Sequence, residues 1–199
     1  MEFAAAQRRL ARLFTCVVLG RWEDLARLRA EAPAGEPDRA WREAVLQAHV
    51  FAGFPRVVEA YDVLARAGGL GRPGPEELLG EPDQPERGRA LFERIYRERA
   101  EDIRTALAAG HPDFAAFIEG HAYGRILARP GLEPALRELL AVAALAALGQ
   151  ERQLASHARG ARRCGASAEQ VHAVLASVGD LLQPERLERA RRVLERFAE

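Results

Sequence analysis

Sliding the 199-residue chain along itself by 129 positions lays residues 8–67 on residues 137–196 without a gap. Identical pairs include Leu19/Leu148, Gly20/Gly149, Leu25/Leu154 and Ala32/Ala161. They continue through Ala44-Val45-Leu46 on Ala173-Val174-Leu175, then Pro55/Pro184 and Glu59/Glu188. The shared Gly and Pro breakpoints weigh more than the identities, because they interrupt both stretches at the same places. The expectation is two copies of a four-helix unit, packed as a pseudo-dimer. Each copy covers an apolar face that the other could not bury alone.

The periodicity is helical almost throughout, and Ala, Leu, Arg and Glu, all good helix formers, dominate. No stretch sustains a period of two, so no sheet is expected and the fold class is all-α. Breakers predict helices over about 3–19 and 22–32, and from an Asp38 N-cap to Gly53-Phe54-Pro55. Another is expected over 55–67. Residues 68–85 read as a Gly/Pro-rich linker. After it, helices are expected at about 86–109, 112–128, 133–148, 150–164, 168–181 and 184–198. Ser167 with Gln170 reads as a capping box, and Pro112, Pro134 and Pro184 sit at first-turn positions. The division is a degenerate N-terminal repeat (1–67), the linker (68–85), and a region (86–199) that contains the second repeat.

With 29 basic and 29 acidic residues the formal net charge is zero. Phosphate binding runs on a basic surplus, so nucleic acid is not an expected partner. The longest apolar run, residues 139–148, is too short to cross a bilayer, so no membrane partner is expected either. The opening MEFAAAQRRLAR lacks the signal-peptide order of charge, apolar stretch and small-residue site. Two cysteines, Cys16 and Cys164, make no disulfide scaffold. These features together predict a cytoplasmic protein. No histidine pair has metal-ligand spacing, and CxxC, HExxH and a phosphate-cradling loop are missing. Neither metal nor cofactor is therefore expected.

An ordered series of segments then stands out. Residues 86–92 (ERGRALF) are followed by His111-Pro112-Asp113-Phe114, Ala122-Tyr123-Gly124-Arg125 and Arg129-Pro130-Gly131-Leu132. Then come Arg137-Glu138-Leu139-Leu140, residues 144–149 (ALAALG), His157, Gly160-Ala161 and Gly165-Ala166-Ser167. In this order and spacing the series resembles the carboxymuconolactone decarboxylase family, within the alkylhydroperoxidase D-like superfamily. That resemblance implies an all-helical, oligomeric protein. Residues 45–55 (VLQAHVFAGFP) are similar to another family segment, which ends in aromatic-Ala-Gly-x-Pro and normally follows the helix with the histidine. The second repeat has Gly179-Asp180-Leu181-Leu182-Gln183-Pro184 there instead. Conversely, Arg9 and Leu28 stand where Glu138 and His157 stand in the second repeat. Each repeat keeps what the other lacks, which leaves at most one composite site per chain.

Glu138 and His157 match the two ends of the superfamily's acid, Cys-x-x-Cys and His spacing, with Gln150 and Gln153 at the cysteine positions. Glutamine cannot perform thiol–disulfide exchange, so peroxidase chemistry is not expected at this site. A Glu–His pair on consecutive helices can couple proton transfer, the acid fixing the tautomer of the imidazole. The resemblance implies a decarboxylase-like lyase acting on a small carboxylate or lactone, with Glu138 and His157 as the acid–base couple. His157 would protonate the carbon left when carbon dioxide departs. Arg129 or Arg137 would hold a carboxylate, Tyr123 would donate to a carbonyl, and His49 would line the same pocket. Two alternatives stand beside this one. One is a non-catalytic, oligomerising or ligand-binding member. The other is a thiol peroxidase using Cys164, although both cysteines also read as small buried hydrophobes.

Overall fold

The computed structural model describes residues 3–78 and 84–197, and in these it contains helices and no strand. The N-terminal set is α1 (Ala5–Leu19), α2 (Trp22–Ala30) and α3 (Asp38–Arg66). A short 3₁₀ turn (Pro75–Glu77) leads towards α4 (Gln84–Tyr96), α5 (Ala100–Gly110) and α6 (Pro112–Ala116). A π-helix, Phe117–Leu127, follows directly. The C-terminal set is α7 (Pro134–Leu148), α8 (Glu151–Arg163), α9 (Ala168–Val178) and α10 (Pro184–Leu194).

Helices α1 and α7 have the same length, 15 residues, and their bounds differ by the same 129 positions. The turns after them match as well. Gly20 (φ 71°, ψ 35°) and Gly149 (φ 72°, ψ 28°) both close their helix in the left-handed conformation. The next residue donates back in each case, Arg21 to Cys16 and Gln150 to Leu145. These two helices pack on each other at the centre, and α1 also packs on α3 while α7 packs on α8 and α9. Helix α7 is buried without interruption from Leu136 to Ala147, as expected of a helix walled in on several sides.

The break expected at Gly53-Phe54-Pro55 falls on one residue. Gly53 adopts φ 77°, ψ 165°, a conformation closed to side chains with a Cβ, and the helix resumes at once on the far side. Asp38 is the first residue of α3 rather than its cap; Pro37 occupies the cap position. The Ser167–Gln170 capping box forms with both of its hydrogen bonds. Pro112, Pro134 and Pro184 each open their helices. Part of the linker, residues 79–83, lies outside the described residues, as do residues 198–199 at the end of the last expected helix.

Two expected helices differ in form. The one over 86–109 is divided at Arg97, which turns through φ 52° and separates α4 from α5. No Gly or Pro marks this point. The turn is imposed by packing, because Phe92 and Ile95 of α4 are buried in a second apolar cluster with Tyr123 and Leu127. The helix over 112–128 becomes α6 and the π-helix. A Cβ on Gly88 would lie 2.7 Å from the backbone of Gly124, and one on Gly124 would lie 2.7 Å from the Gln84 carbonyl oxygen. Helix α4 and the π-helix therefore cross backbone against backbone, and the wide turn is set by that contact rather than by local propensity.

One charged cluster ties the N-terminal set to α7. Glu43 of α3 is 2% exposed and Arg137 of α7 is 1% exposed. Arg137 Nη2 donates to Glu43 Oε2 at 2.7 Å, and Arg129 donates to the same carboxylate from Nη2 at 2.7 Å and from Nε at 2.9 Å. Gln47 closes the cluster, accepting from Arg137 Nη1 at 3.1 Å and donating to the Arg137 carbonyl at 2.9 Å. Burial pushes the Glu43 carboxyl up, but the hydrogen bonds from Arg129 and Arg137 outweigh it and hold the group below its ordinary value. With the folded value depressed, the stabilisation is complete above the ordinary carboxylate range and is lost as pH falls from that range through the lower folded value. Glu43→Gln leaves two guanidiniums without their counter-charge. We expect a loss of about 3–5 kcal/mol, measured by urea unfolding at neutral pH, and a shallower acid limb than the wild type.

Candidate active site

Arg137 and Glu138 are neighbours on α7, and both are 1% exposed. They point to different helices. Arg137 turns to α3, and Glu138 turns to α8, where its Oε2 lies 3.0 Å from His157 Nδ1. A residue on a helix is rotated by about 100° from the next, so one position of register separates the structural pair from the candidate catalytic pair. The tight turn at Gly149 folds α8 back along α7 and brings the two side chains level.

The carboxylate is boxed in. Its Oε1 is buried and has no hydrogen-bond partner. A methyl group on Gly160 would overlap Oε2 and also crowd Ile95 of α4. An acid buried with half of its hydrogen-bonding capacity unmet is costly. The one side-chain partner of Glu138 among the described residues is the imidazole. With Glu138 accepting from Nδ1–H, His157 keeps a lone pair at Nε2 in its neutral form. The His157 side chain is 15% exposed. The ring of Phe51 stands edge-on to it, with centroids 6.0 Å apart. Phe51 belongs to the aromatic-Ala-Gly-x-Pro segment of the N-terminal set, so that segment does reach the histidine of the C-terminal set.

The other candidates lie elsewhere. Tyr123, on the π-helix, meets Tyr96 hydroxyl to hydroxyl at 2.8 Å. Burial pushes its pKa well up, with contributions from Tyr96 and from the charge of Glu138, so its hydroxyl stays protonated. Arg129 and Arg137 are both engaged by Glu43, and Arg129 also donates to the Glu77 carbonyl at 2.9 Å. Neither is brought to the Glu138–His157 pair. His49 faces His121 instead, with Nε2 atoms 2.7 Å apart, while its Nδ1 lies 2.5 Å from the Leu46 carbonyl. Its other face is stacked on Phe54. Burial pushes the Cys164 thiol up to about 11, helped by the charge of Glu138, and pushes Cys16 up to about 12. Burial of this kind favours the protonated thiol over the nucleophilic thiolate. No group of three or more metal-ligating side chains gathers among the described residues. No helix there is long and apolar enough to cross a membrane.

Sequence reasoning missed Tyr96, Glu43 and Gln47. Tyr96 stands four residues after Phe92 on the apolar stripe of α4, a visible signal. Glu43 and Gln47 stand among Trp41, Ala44, Val45 and Ala48, and polar residues on such a face are a sign that partners await them. Gly160→Ala is expected to push the Glu138 carboxylate away from His157. The overlap should cost about 1–3 kcal/mol, read as a lower thermal midpoint, together with a change in the His157 imidazole resonances.

Residues 112–196 match the carboxymuconolactone decarboxylase family. Peroxisomal protein 2 of Schizosaccharomyces pombe is 27% identical over 135 residues, which is 65% of this chain. The chain spans about three fifths of that relative (62%). The match takes in α7, the turn at Gly149 and α8, and so includes both Glu138 and His157. Over residues 112–196 the chain is thus similar to the carboxymuconolactone decarboxylase family.

Proposed function

We propose that the chain is a decarboxylase-like proton-transfer enzyme acting on a small carboxylated ring or lactone, working without a cofactor. Glu138 and His157 form its acid–base couple. The observation that carries this reading is the 3.0 Å contact between His157 Nδ1 and a carboxylate buried to 1% exposure. When the carbon–carbon bond to the departing carboxylate breaks, its electron pair stays on the ring carbon and carbon dioxide leaves. Protonated His157 then gives its Nε2 proton to that carbon and is left neutral. Glu138 holds the ring throughout and stabilises the imidazolium before transfer. Solvent returns the proton.

His157→Gln keeps a polar side chain of similar reach but removes the titratable nitrogen. We expect carbon dioxide release from a panel of carboxylated lactones to fall by about 10²–10⁴-fold, with the thermal midpoint close to the wild type. No release by the wild-type protein, or release indifferent to His157→Gln, would sink the reading. The first of these results would favour the second reading, a ligand-binding member without chemistry. That reading draws support from Gln150 and Gln153, which stand at the positions of the superfamily's redox cysteines.

The proposal includes the duplication, supported by the equal offset of α1 and α7 and of the turns that follow them. Two buried, unpaired cysteines suit a reducing compartment such as the cytoplasm. It also includes self-association. Phe54 (68% exposed), Val58 (69%) and Phe117 (66%) leave large apolar side chains in solvent, which a second copy of the chain would cover. A solution mass at least twice the 21.9 kDa chain mass is expected by light scattering; the chain mass itself would contradict it.

A further inference from the structure

A second histidine contact lies apart from the Glu138–His157 pair. His49 stands on α3 and His121 on the π-helix, 72 positions apart in sequence, and their Nε2 atoms are 2.7 Å from each other. Neither forms an ion pair with a carboxylate among the described residues, whereas His157 has Glu138 and His111 has Asp113. The contact is therefore not another acid–histidine couple. It brings together two ring nitrogens, each of which can present a lone pair when its ring is neutral.

The surroundings fix which nitrogen does so. His49 Nδ1–H donates to the Leu46 carbonyl at 2.5 Å, which leaves the Nε2 lone pair directed at His121. The His49 ring is stacked on Phe54, with centroids 5.2 Å apart and planes 8° from parallel, and the residue is 9% exposed. His49 is thus held in both tautomer and orientation. A backbone carbonyl on the far ring nitrogen is the support that metal-bound histidines almost always carry. His121 is only half-buried, so it is the member that an ion reaches from solvent and the ring with room to turn. Burial, His49 and Arg125 all favour its neutral form, which is the form that ligates a metal.

We propose that His49 and His121 chelate a divalent transition-metal ion of the zinc class through their Nε2 atoms. Imidazole suits such ions, not the hard cations that prefer oxygen. Zinc–nitrogen bonds of about 2.0–2.1 Å at a tetrahedral angle set two ligand nitrogens about 3.3 Å apart. Widening the 2.7 Å contact that far takes a small turn of the His121 ring. His121 moves its proton from Nε2 to Nδ1 as it turns, so the neutral pair binds the ion without net proton release. Among the described residues no third ligand joins the two. Water completes the coordination, and the affinity is expected in the micromolar range. The ion ties α3, four residues before the Gly53 break, to the π-helix. The site is independent of Glu138, His157 and the reaction proposed for them.

The test is calorimetric titration of the full, untagged chain with zinc chloride in a non-chelating buffer. One zinc per chain is expected, bound less well on acidification as protons compete for the nitrogens. The loaded chain should show a higher thermal midpoint, because the ion binds the folded state. His121→Gln should raise Kd by about tenfold or more and abolish the rise in midpoint. His111→Gln, at an exposed residue, should change neither. His49→Gln should act as His121→Gln does, but His49 is buried, so the half-buried His121 gives the deciding variant. In the NMR spectrum, zinc should move the ring resonances of His49 and His121 and place the His121 proton on Nδ1. Absence of zinc binding, equal binding by His121→Gln, or zinc moving the His157 ring instead of these two would overturn the proposal.

Discussion

Two adjacent buried charges of opposite sign on α7 hold the rest of the structure in place. Arg137 and Glu138 are both 1% exposed, and each would be expensive if left alone in the interior. Arg137 is neutralised across the interface with α3 by Glu43, with Gln47 taking one more donor. Glu138 is matched by His157 across the hairpin with α8. The first pair is complete: each charge has its counter-charge, and the cluster also clasps the loop through Arg129 and the Pro130 carbonyl. The second pair is incomplete, since one carboxylate oxygen has no partner. A complete buried network gives rigidity. An incomplete one, mounted on that rigid support, is where chemistry is expected.

The surroundings of Glu138 follow from the same economy of space. Helix α8 approaches so closely that position 160 has no room for a side chain. On the other side, α4 and the π-helix cross at Gly88 and Gly124 and deliver Tyr96 and Tyr123 to the neighbourhood of the carboxylate. Segment 84–127 thus covers the C-terminal set, and α3 supplies Phe51 to the histidine. The site is made from parts far apart in sequence, and burial of its acid depends on all of them.

Much of this could be read from residue order. The Gly20 and Gly149 turns, the Gly53 break, the helix-opening prolines and the Ser167–Gln170 box are local devices, settled by the φ each residue tolerates or by a hydrogen bond three residues long. Glu138 and His157 were legible for a similar reason: a helical hairpin with a tight turn leaves little freedom in which side chains come level. Arg129, Tyr123 and His49 show where such reading ends. Their residue types suit a pocket, but their directions depend on Glu43, Tyr96 and His121, 86, 27 and 72 positions away.

By itself, the sequence determined an all-helical chain, its main breakpoints, the matching ends of α1 and α7 and one acid–histidine pair, because short-range sterics and periodicity decide these. Only the tertiary structure decided the division at Arg97, the π-helix and the pairing of Glu43 with two arginines. These outcomes turn on helix-to-helix distances and on competition among buried charges for a few partners, and neither quantity exists until the helices are packed.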